Sequence, residues 1–253
     1  MTWRQTKEAP FFVGYLNAVP KTLVMFLGVF SVCFVAGLGL AALALSSTQN
    51  DPGAGGFQWG NRFETAGILE LRPYPVFRVP AKDGEPAKTY MLAGQGKRGV
   101  FKQAEAHKGS AVSIRGVPVN RGDLTMVQVG RVEAVEDETE EFAPSEAVPL
   151  GRWKLAGEIC DGKCYAGAMR PGRGLAHKAC ADLCLTGGIP PVFVSSGPVE
   201  NRNFFMMADK DGNLLGDELK SLLALYIEVE GEVERLDDLM VFKVDLATAR
   251  ILK

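Results

Sequence analysis

The stretch Ile227-Glu-Val-Glu-Gly231 decides the fold, because it repeats Val112-Ser-Ile-Arg-Gly116 at a spacing of 115 residues. Further pairs keep this spacing without a gap: Asp123 and Asp238, Leu124 and Leu239, and Val129 and Val244. Near the start of each copy, Ala66-Gly-Ile-Leu69 is matched by Ala156-Gly-Glu-Ile159. Similarity at a fixed spacing is the signature of duplicated structural units. The sequence therefore predicts two related halves.

Both halves show the same order of predicted elements: an opening strand, a short strand pair, a helical stretch and a returning hairpin. Apolar side chains alternate along the hairpin strands, as Ile227 and Val229 do, and this is typical of half-buried strands. The predicted helical stretches are Val100–His107 and Asp217–Leu223, and the predicted hairpin turns are Asn120–Asp123 and Leu236–Asp238. This order is typical of a five-stranded Greek-key barrel of the OB type.

We therefore expect a mainly β chain with two OB-like barrels, residues 60–145 and 150–253. The acidic stretch Glu133–Glu141 between them is interpreted as a solvated linker. The chain has a net charge of −2, and residues 51–253 carry −4, because residues 1–50 hold three basic side chains and one acidic one. OB barrels often bind oligonucleotides, but a negative charge argues against a phosphate backbone as ligand. We expect no nucleic acid partner.

A run of 23 residues without a charge, Leu23–Leu45, precedes the two halves. As a helix it would extend over roughly 35 Å, which is enough to cross a lipid bilayer. A cleaved signal peptide is the alternative, although its apolar region normally has about 7–15 residues. Basic side chains cluster before the run, so the positive-inside rule places the N-terminus in the cytoplasm. We expect an interfacial N-terminus at 1–21, a transmembrane helix at 22–46 and a Gly-rich tether at 47–59.

Small residues lie on one face of this helix. Cys33, Gly37 and Ala41 are four residues apart, and small residues at this spacing let a second helix approach closely. Gly and Ala are also common in membrane helices without such a partner. The pattern favours packing against integral membrane subunits within the bilayer.

Only the second half contains an insertion rich in cysteine, and it holds Cys160, Cys164, His177, Cys180 and Cys184. Residues 175–185 look helical, which would place the last three of these side chains on one face. Three interpretations stay open. Two disulfides could staple the insertion, since an exported compartment permits them. The cluster could instead hold zinc or copper, or the pair Cys160 and Cys164 could perform thiol exchange.

This insertion and the hairpin that follows it resemble small exported OB-like domains of bacteria. Those domains carry an Asp-x-x-Cys motif near the first strand and a later Cys-x-x-x-Cys motif. Asp161-Gly-Lys-Cys164 and Cys180-Ala-Asp-Leu-Cys184 match them, whereas Cys160 is an addition. The resemblance covers the second half only. It implies an OB-like fold and a location in the periplasm. Together with the apolar run Leu23–Leu45, this predicts a protein anchored in the bacterial inner membrane.

Two other patterns are interpreted as structural. Gly94-Gln-Gly-Lys-Arg-Gly99 spells GxGxxG, but a dinucleotide site also needs a βαβ unit and a later acidic residue, so we interpret it as a connecting loop. Met169, Met206 and Met207 offer soft sulfur ligands, yet methionine is more common as core filler. No Ser-His-Asp set or other catalytic pattern is found, so no enzymatic activity is expected.

The sequence favours a single-span, membrane-anchored periplasmic accessory subunit, with a structural or assembly role, in a larger membrane protein complex, for example a respiratory or other redox complex. The alternative is a periplasmic metal-binding or thiol-redox protein that uses the cysteine–histidine insertion. A small-ligand binding module is a third hypothesis, for which no residue identifies the ligand.

Overall fold

The computed structural model describes residues 21–48, 52–135 and 146–252. It divides the chain into two compact units, Met1–Asp51 and Pro52–Lys253. The predicted interfacial segment before residue 21, and residues 136–141 of the predicted acidic linker, lie outside the described residues.

The described part of the first unit is one helix, α1 (Lys21–Thr48). Its segment Leu23–Ser47 is long and apolar enough to cross a membrane, with a mean hydropathy of 2.5. The side chains of this segment are exposed almost throughout, and apart from the helix's own nearby backbone no atom lies within 4 Å of the place where a Cβ on Gly37 would stand. The prediction of one long apolar N-terminal helix is confirmed.

The second unit is mainly β. Its first half contains β1 (Gly56–Phe57), β2 (Phe63–Leu71), β3 (Pro75–Val79), β4 (Lys88–Ala93), α2 (Phe101–Ala106), β5 (Ala111–Arg121) and β6 (Leu124–Ala134). Its second half contains β7 (Val148–Asp161), α3 (Lys178–Thr186), β8 (Pro191–Val199), β9 (Arg202–Asp209), α4 (Leu219–Leu222), β10 (Tyr226–Leu236) and β11 (Leu239–Ile251). The predicted order of strands, helix and hairpin is found in both halves. Within the predicted tether, β1 pairs with β5 of the first sheet.

The second half forms a closed five-stranded barrel in the order β10-β11-β9-β8-β7. Neighbouring strands are antiparallel except for β11 and β9, which are parallel. In the first half the strand order is β1-β5-β2-β3-β4-β6, and β5 pairs in addition with β6. The pairings of β2 to β6 repeat those of β7 to β11, including the one parallel pair, β4 with β6. Met91 faces Met126 in the first parallel pair, and Met206 faces Val241 in the second.

The repeated Ala-Gly pair has a physical reason in both halves. A Cβ on Gly67 would lie 2.3 Å from the carbonyl oxygen of Arg78, and a Cβ on Gly157 would lie 2.1 Å from that of Val194. Real Cβ atoms do not approach oxygen this closely, so glycine marks a close approach of two backbones here. The sequence signal at Ala66-Gly67 and Ala156-Gly157 is therefore a signal of strand contact.

The hydrophobic core has three parts. One cluster fills the first half around Phe77 and Ile114, and another fills the closed barrel around Phe205 and Phe242. The third joins the two halves, and its buried members include Met91, Met126, Met206, Cys160, Cys164 and Cys184. Arg78 and Asp237 form an ion pair of 2.7 Å across the same boundary. The cysteine insertion therefore lies where the two halves meet.

Candidate metal centre

The insertion leaves the barrel at the end of β7 and returns through a helix. A π-helical turn, Cys164–Ala168, follows β7, and a 3-10 turn, Leu175–His177, leads into α3. The prediction of a helical stretch over residues 175–185 is confirmed. Gly187 and Gly188 end the helix and lead into β8.

Three cysteines converge in this insertion. The sulfur atoms of Cys164, Cys180 and Cys184 all lie within 4.8 Å of one another. Cys180 and Cys184 are one helical turn apart on α3, so they share a face. Cys164 approaches that face from the π-helical turn, with its sulfur 3.8 Å from that of Cys184. Cys164 and Cys184 are buried, and Cys180 is half-buried.

Cys160, in contrast, lies outside this group. Its thiol donates to a carboxylate oxygen of Glu158 at 3.5 Å, and only 2% of the residue is exposed. Burial raises the pKa of the Cys160 thiol well above its usual range. Of the predicted site residues, the structure therefore brings together Cys164, Cys180 and Cys184 and leaves Cys160 in the core.

His177 lies beside Cys164 but has a partner of its own. Its Nε2 atom is 3.0 Å from Oδ2 of Asp161, and both side chains are buried. The other oxygen of Asp161 accepts the backbone N–H of Cys164 at 2.8 Å. Asp161, Cys164 and His177 offer ligand atoms within 4.8 Å of one another. The pair Asp161 and His177 therefore fixes the position of Cys164.

A lysine from the first half faces the thiols. The ammonium of Lys97 lies 2.6 Å from the sulfur of Cys180 and 3.6 Å from that of Cys184. The hydrogen bond to Cys180 raises the pKa of Lys97 to about 12. Lys97 belongs to the Gly94–Gly99 loop, which the sequence analysis interpreted as a connection only. This loop covers the cysteine group, and sequence reasoning missed that role.

Close backbone contacts hold the loop in place. The buried ammonium of Lys163 donates to the carbonyl oxygens of Gly94 at 2.7 Å and Gly96 at 2.9 Å. The N–H of Gly99 donates to the carbonyl of Gly187 at 2.7 Å. A Cβ on Gly187 would stand 1.8 Å from the carbonyl oxygen of Lys97, so the two segments touch through glycine. The glycines of the Gly94–Gly99 loop and the pair Gly187-Gly188 were the sequence signal from which this close backbone contact could have been predicted.

The thiols of Cys164 and Cys184 differ in acidity. The hydrogen bond that Cys184 shares with Cys164, together with the nearby Lys97, lowers the pKa of Cys184. The same hydrogen bond and burial raise the pKa of Cys164. Cys184 thus carries a negative charge more readily than Cys164, and the ammonium of Lys97 compensates that charge.

Met169 is also near the group. The thiol of Cys180 donates to the thioether sulfur of Met169 at 3.4 Å, and 44% of Met169 is exposed. The interpretation as core filler is therefore wrong for Met169, because it lies at the surface beside a thiol. It is confirmed for Met206 and Met207, which are fully buried.

The four cysteines of this unit are free thiols in this structure. A disulfide bond is about 2.05 Å long, whereas the sulfur atoms of Cys164 and Cys184 are 3.8 Å apart. Zinc lies about 2.3 Å from each thiolate sulfur in a tetrahedral site, so two such sulfurs stand roughly 3.8 Å apart. The observed separation fits two ligands of one metal ion.

No protein-family model matches this chain, and no curated protein and no solved structure matches it either. The centre is therefore interpreted from its own geometry.

Replacement of Asp161 by alanine is expected to lower the free energy of unfolding by about 2 kcal/mol, because the Cys164 N–H and the His177 ring lose a buried acceptor. Guanidinium unfolding of the detergent-solubilised chain measures this. Asp217→Ala is the matched control, since Asp217 is 90% exposed and a surface ion pair is worth at most about 1 kcal/mol. Equal losses in the two variants would contradict the positioning role of Asp161.

Proposed function

We propose that the second unit binds one thiophilic metal ion, zinc or copper, through Cys164, Cys180 and Cys184. The observation that carries this proposal is the close set of three sulfur atoms, with the edge of 3.8 Å that two thiolates of one tetrahedral ion require. Thiolates are the preferred ligands of these metals. Lys97 and Lys163 lie close to the thiols and offset part of their charge.

The metal content of the native protein tests this proposal. The chain is purified from its own membrane in mild detergent without chelators, and metals are counted by mass spectrometry. About one zinc or copper per chain is expected, and X-ray absorption should show sulfur neighbours at about 2.3 Å. The proposal would be refuted if the purified protein contained almost no metal although its three thiols were reduced and bound to no other ligand.

A second candidate is thiol–disulfide exchange by Cys164 and Cys184. The two sulfur atoms are 3.8 Å apart, and the lowered pKa of Cys184 is typical of a reactive cysteine. It replaces the pair Cys160 and Cys164 of the sequence analysis, because Cys160 lies elsewhere in the core. A disulfide between Cys164 and Cys184 in protein purified under a thiol-blocking reagent would support this candidate over metal binding.

We also propose that the two halves are a duplicated pair of OB-like barrels. The proposal includes the resemblance of the second half to exported bacterial domains. The support is the repeated set of five strand pairings, in which β5, β2, β3, β4 and β6 are joined in a ring. The equivalent glycines Gly67 and Gly157 add to this support.

The chain is also proposed to be a single-span protein of the bacterial inner membrane with its second unit in the periplasm. The apolar segment Leu23–Ser47 and the basic residues before it support this. Protease added to spheroplasts is expected to digest an epitope tag at residue 253 and to spare a tag at residue 1. The reverse pattern, or full protection of both tags, would contradict the orientation.

Participation in a larger membrane complex stays a prediction from the small-residue face Cys33, Gly37 and Ala41. The same mild purification tests it, because integral membrane subunits should co-purify with this chain in fixed ratio. Replacement of Gly37 by leucine should reduce that ratio. A lone monomeric chain would contradict this accessory role while leaving the metal proposal intact.

A further inference from the structure

We infer that the centre binds monovalent copper in preference to zinc, with the thioether of Met169 as an additional ligand. This inference rests on the proposed function, because it specifies the ion that the three cysteines hold. It concerns a residue outside the cysteine motifs and assigns it a selective role.

The position of Met169 supports a role as ligand. Its sulfur is 3.4 Å from the sulfur of Cys180, the least buried thiol of the three. Its neighbour along the chain is the π-helical turn that carries Cys164, so the same segment supplies two sulfur atoms to one place. A methionine with 44% exposure contributes little to the core, so packing alone does not account for its contact with a thiol. Thioethers are soft ligands that suit copper(I), whereas zinc sites are built from cysteine, histidine and carboxylate ligands.

The harder donors near the thiols are already engaged with one another. Nε2 of His177 contacts Asp161, and the second carboxylate oxygen of Asp161 holds the Cys164 N–H. Zinc sites of the structural type are closed by four cysteine or histidine ligands. His177 forms a close group with Asp161 and Cys164 but not with Cys180 and Cys184, and the further ligand atom that lies against Cys180 is the thioether of Met169.

Competitive metal titration tests the inference on the full chain in detergent. The reduced, metal-free protein is titrated anaerobically with copper(I) against a chromogenic copper(I) chelator, and separately with zinc against a zinc-binding dye. Met169→Leu is compared with wild type, and Met25→Leu is the matched control on α1. The leucine variant should fold normally, because Met169 is exposed.

For copper(I), Met169→Leu is expected to weaken the affinity at least about tenfold, the usual lower bound for loss of even an outer partner of a metal site. Its zinc affinity should stay unchanged, and Met25→Leu should change neither. Equal effects of Met169→Leu on both metals, or no effect on copper(I), would overturn the role of Met169. Zinc binding without copper(I) binding would overturn the preference while leaving the three-cysteine proposal standing. Failure to bind either ion would refute that proposal itself.

Discussion

Cys184→Ser should abolish stoichiometric metal binding, with an apparent affinity lowered on the order of a hundredfold or more. Loss of an outer partner already costs about 10- to 100-fold, and Cys184 is proposed as a direct ligand. Its sulfur lies 3.8 Å from that of Cys164 and 3.6 Å from the ammonium of Lys97, and a neighbouring ammonium stabilises a thiolate. Metal per chain after dialysis against a weak chelator measures the effect.

Cys160→Ser is the matched control for this prediction. It makes the same chemical change four residues before Cys164, at a thiol whose partner is Glu158 rather than another sulfur. A serine hydroxyl can still donate to that carboxylate. The control should therefore keep one metal per chain. Loss of metal in both variants to the same degree would contradict the assignment of Cys164, Cys180 and Cys184 as the ligands.

Gly157→Ala should lower the free energy of unfolding of the second unit by about 3 kcal/mol. The added methyl group would stand 2.1 Å from the carbonyl oxygen of Val194, and that oxygen belongs to a paired strand that cannot move alone. Either β7 separates from β8 or the barrel deforms. Thermal and guanidinium unfolding, followed by circular dichroism in detergent, measure the loss.

Gly197→Ala is the control for the glycine prediction, because it places the same methyl group on β8 with no atom within 4 Å. Its stability should be unchanged or slightly higher, since alanine restricts the unfolded chain more than glycine does. Gly67→Ala should behave like Gly157→Ala if the two halves are copies. A harmless Gly157→Ala would contradict the close strand approach.

The order of elements was predictable because it depends on local pattern and on the repeat. Alternating apolar residues marked β10, and the spacing of 115 residues carried that assignment to β5. The helix α3 followed from residues 175–185 with glycines behind them. Periodicity distinguishes strand from helix within one short stretch of chain, and the repeat follows from comparing two such stretches.

The candidate centre was only partly predictable, because some of its contacts join segments that are far apart in the sequence. Nearness in sequence placed Cys160 with Cys164, but side chains alternate along a strand, so Cys160 shares a side with Glu158 and not with Asp161. That alternation was readable and was overlooked. The contact of Lys97 with Cys180 was not readable, because it joins segments 83 residues apart in different halves. Which loops meet is decided by packing between the halves, and no local pattern reports it.

The loop from one half that lies over the cysteines of the other has an evolutionary consequence. After a duplication, the two copies are at first interchangeable, and either can be lost. Here one copy has acquired the thiols, and the other contributes Lys97, whose ammonium lies against Cys180. Loss of either half would then remove part of the centre. Selection is therefore expected to keep both halves together in one chain.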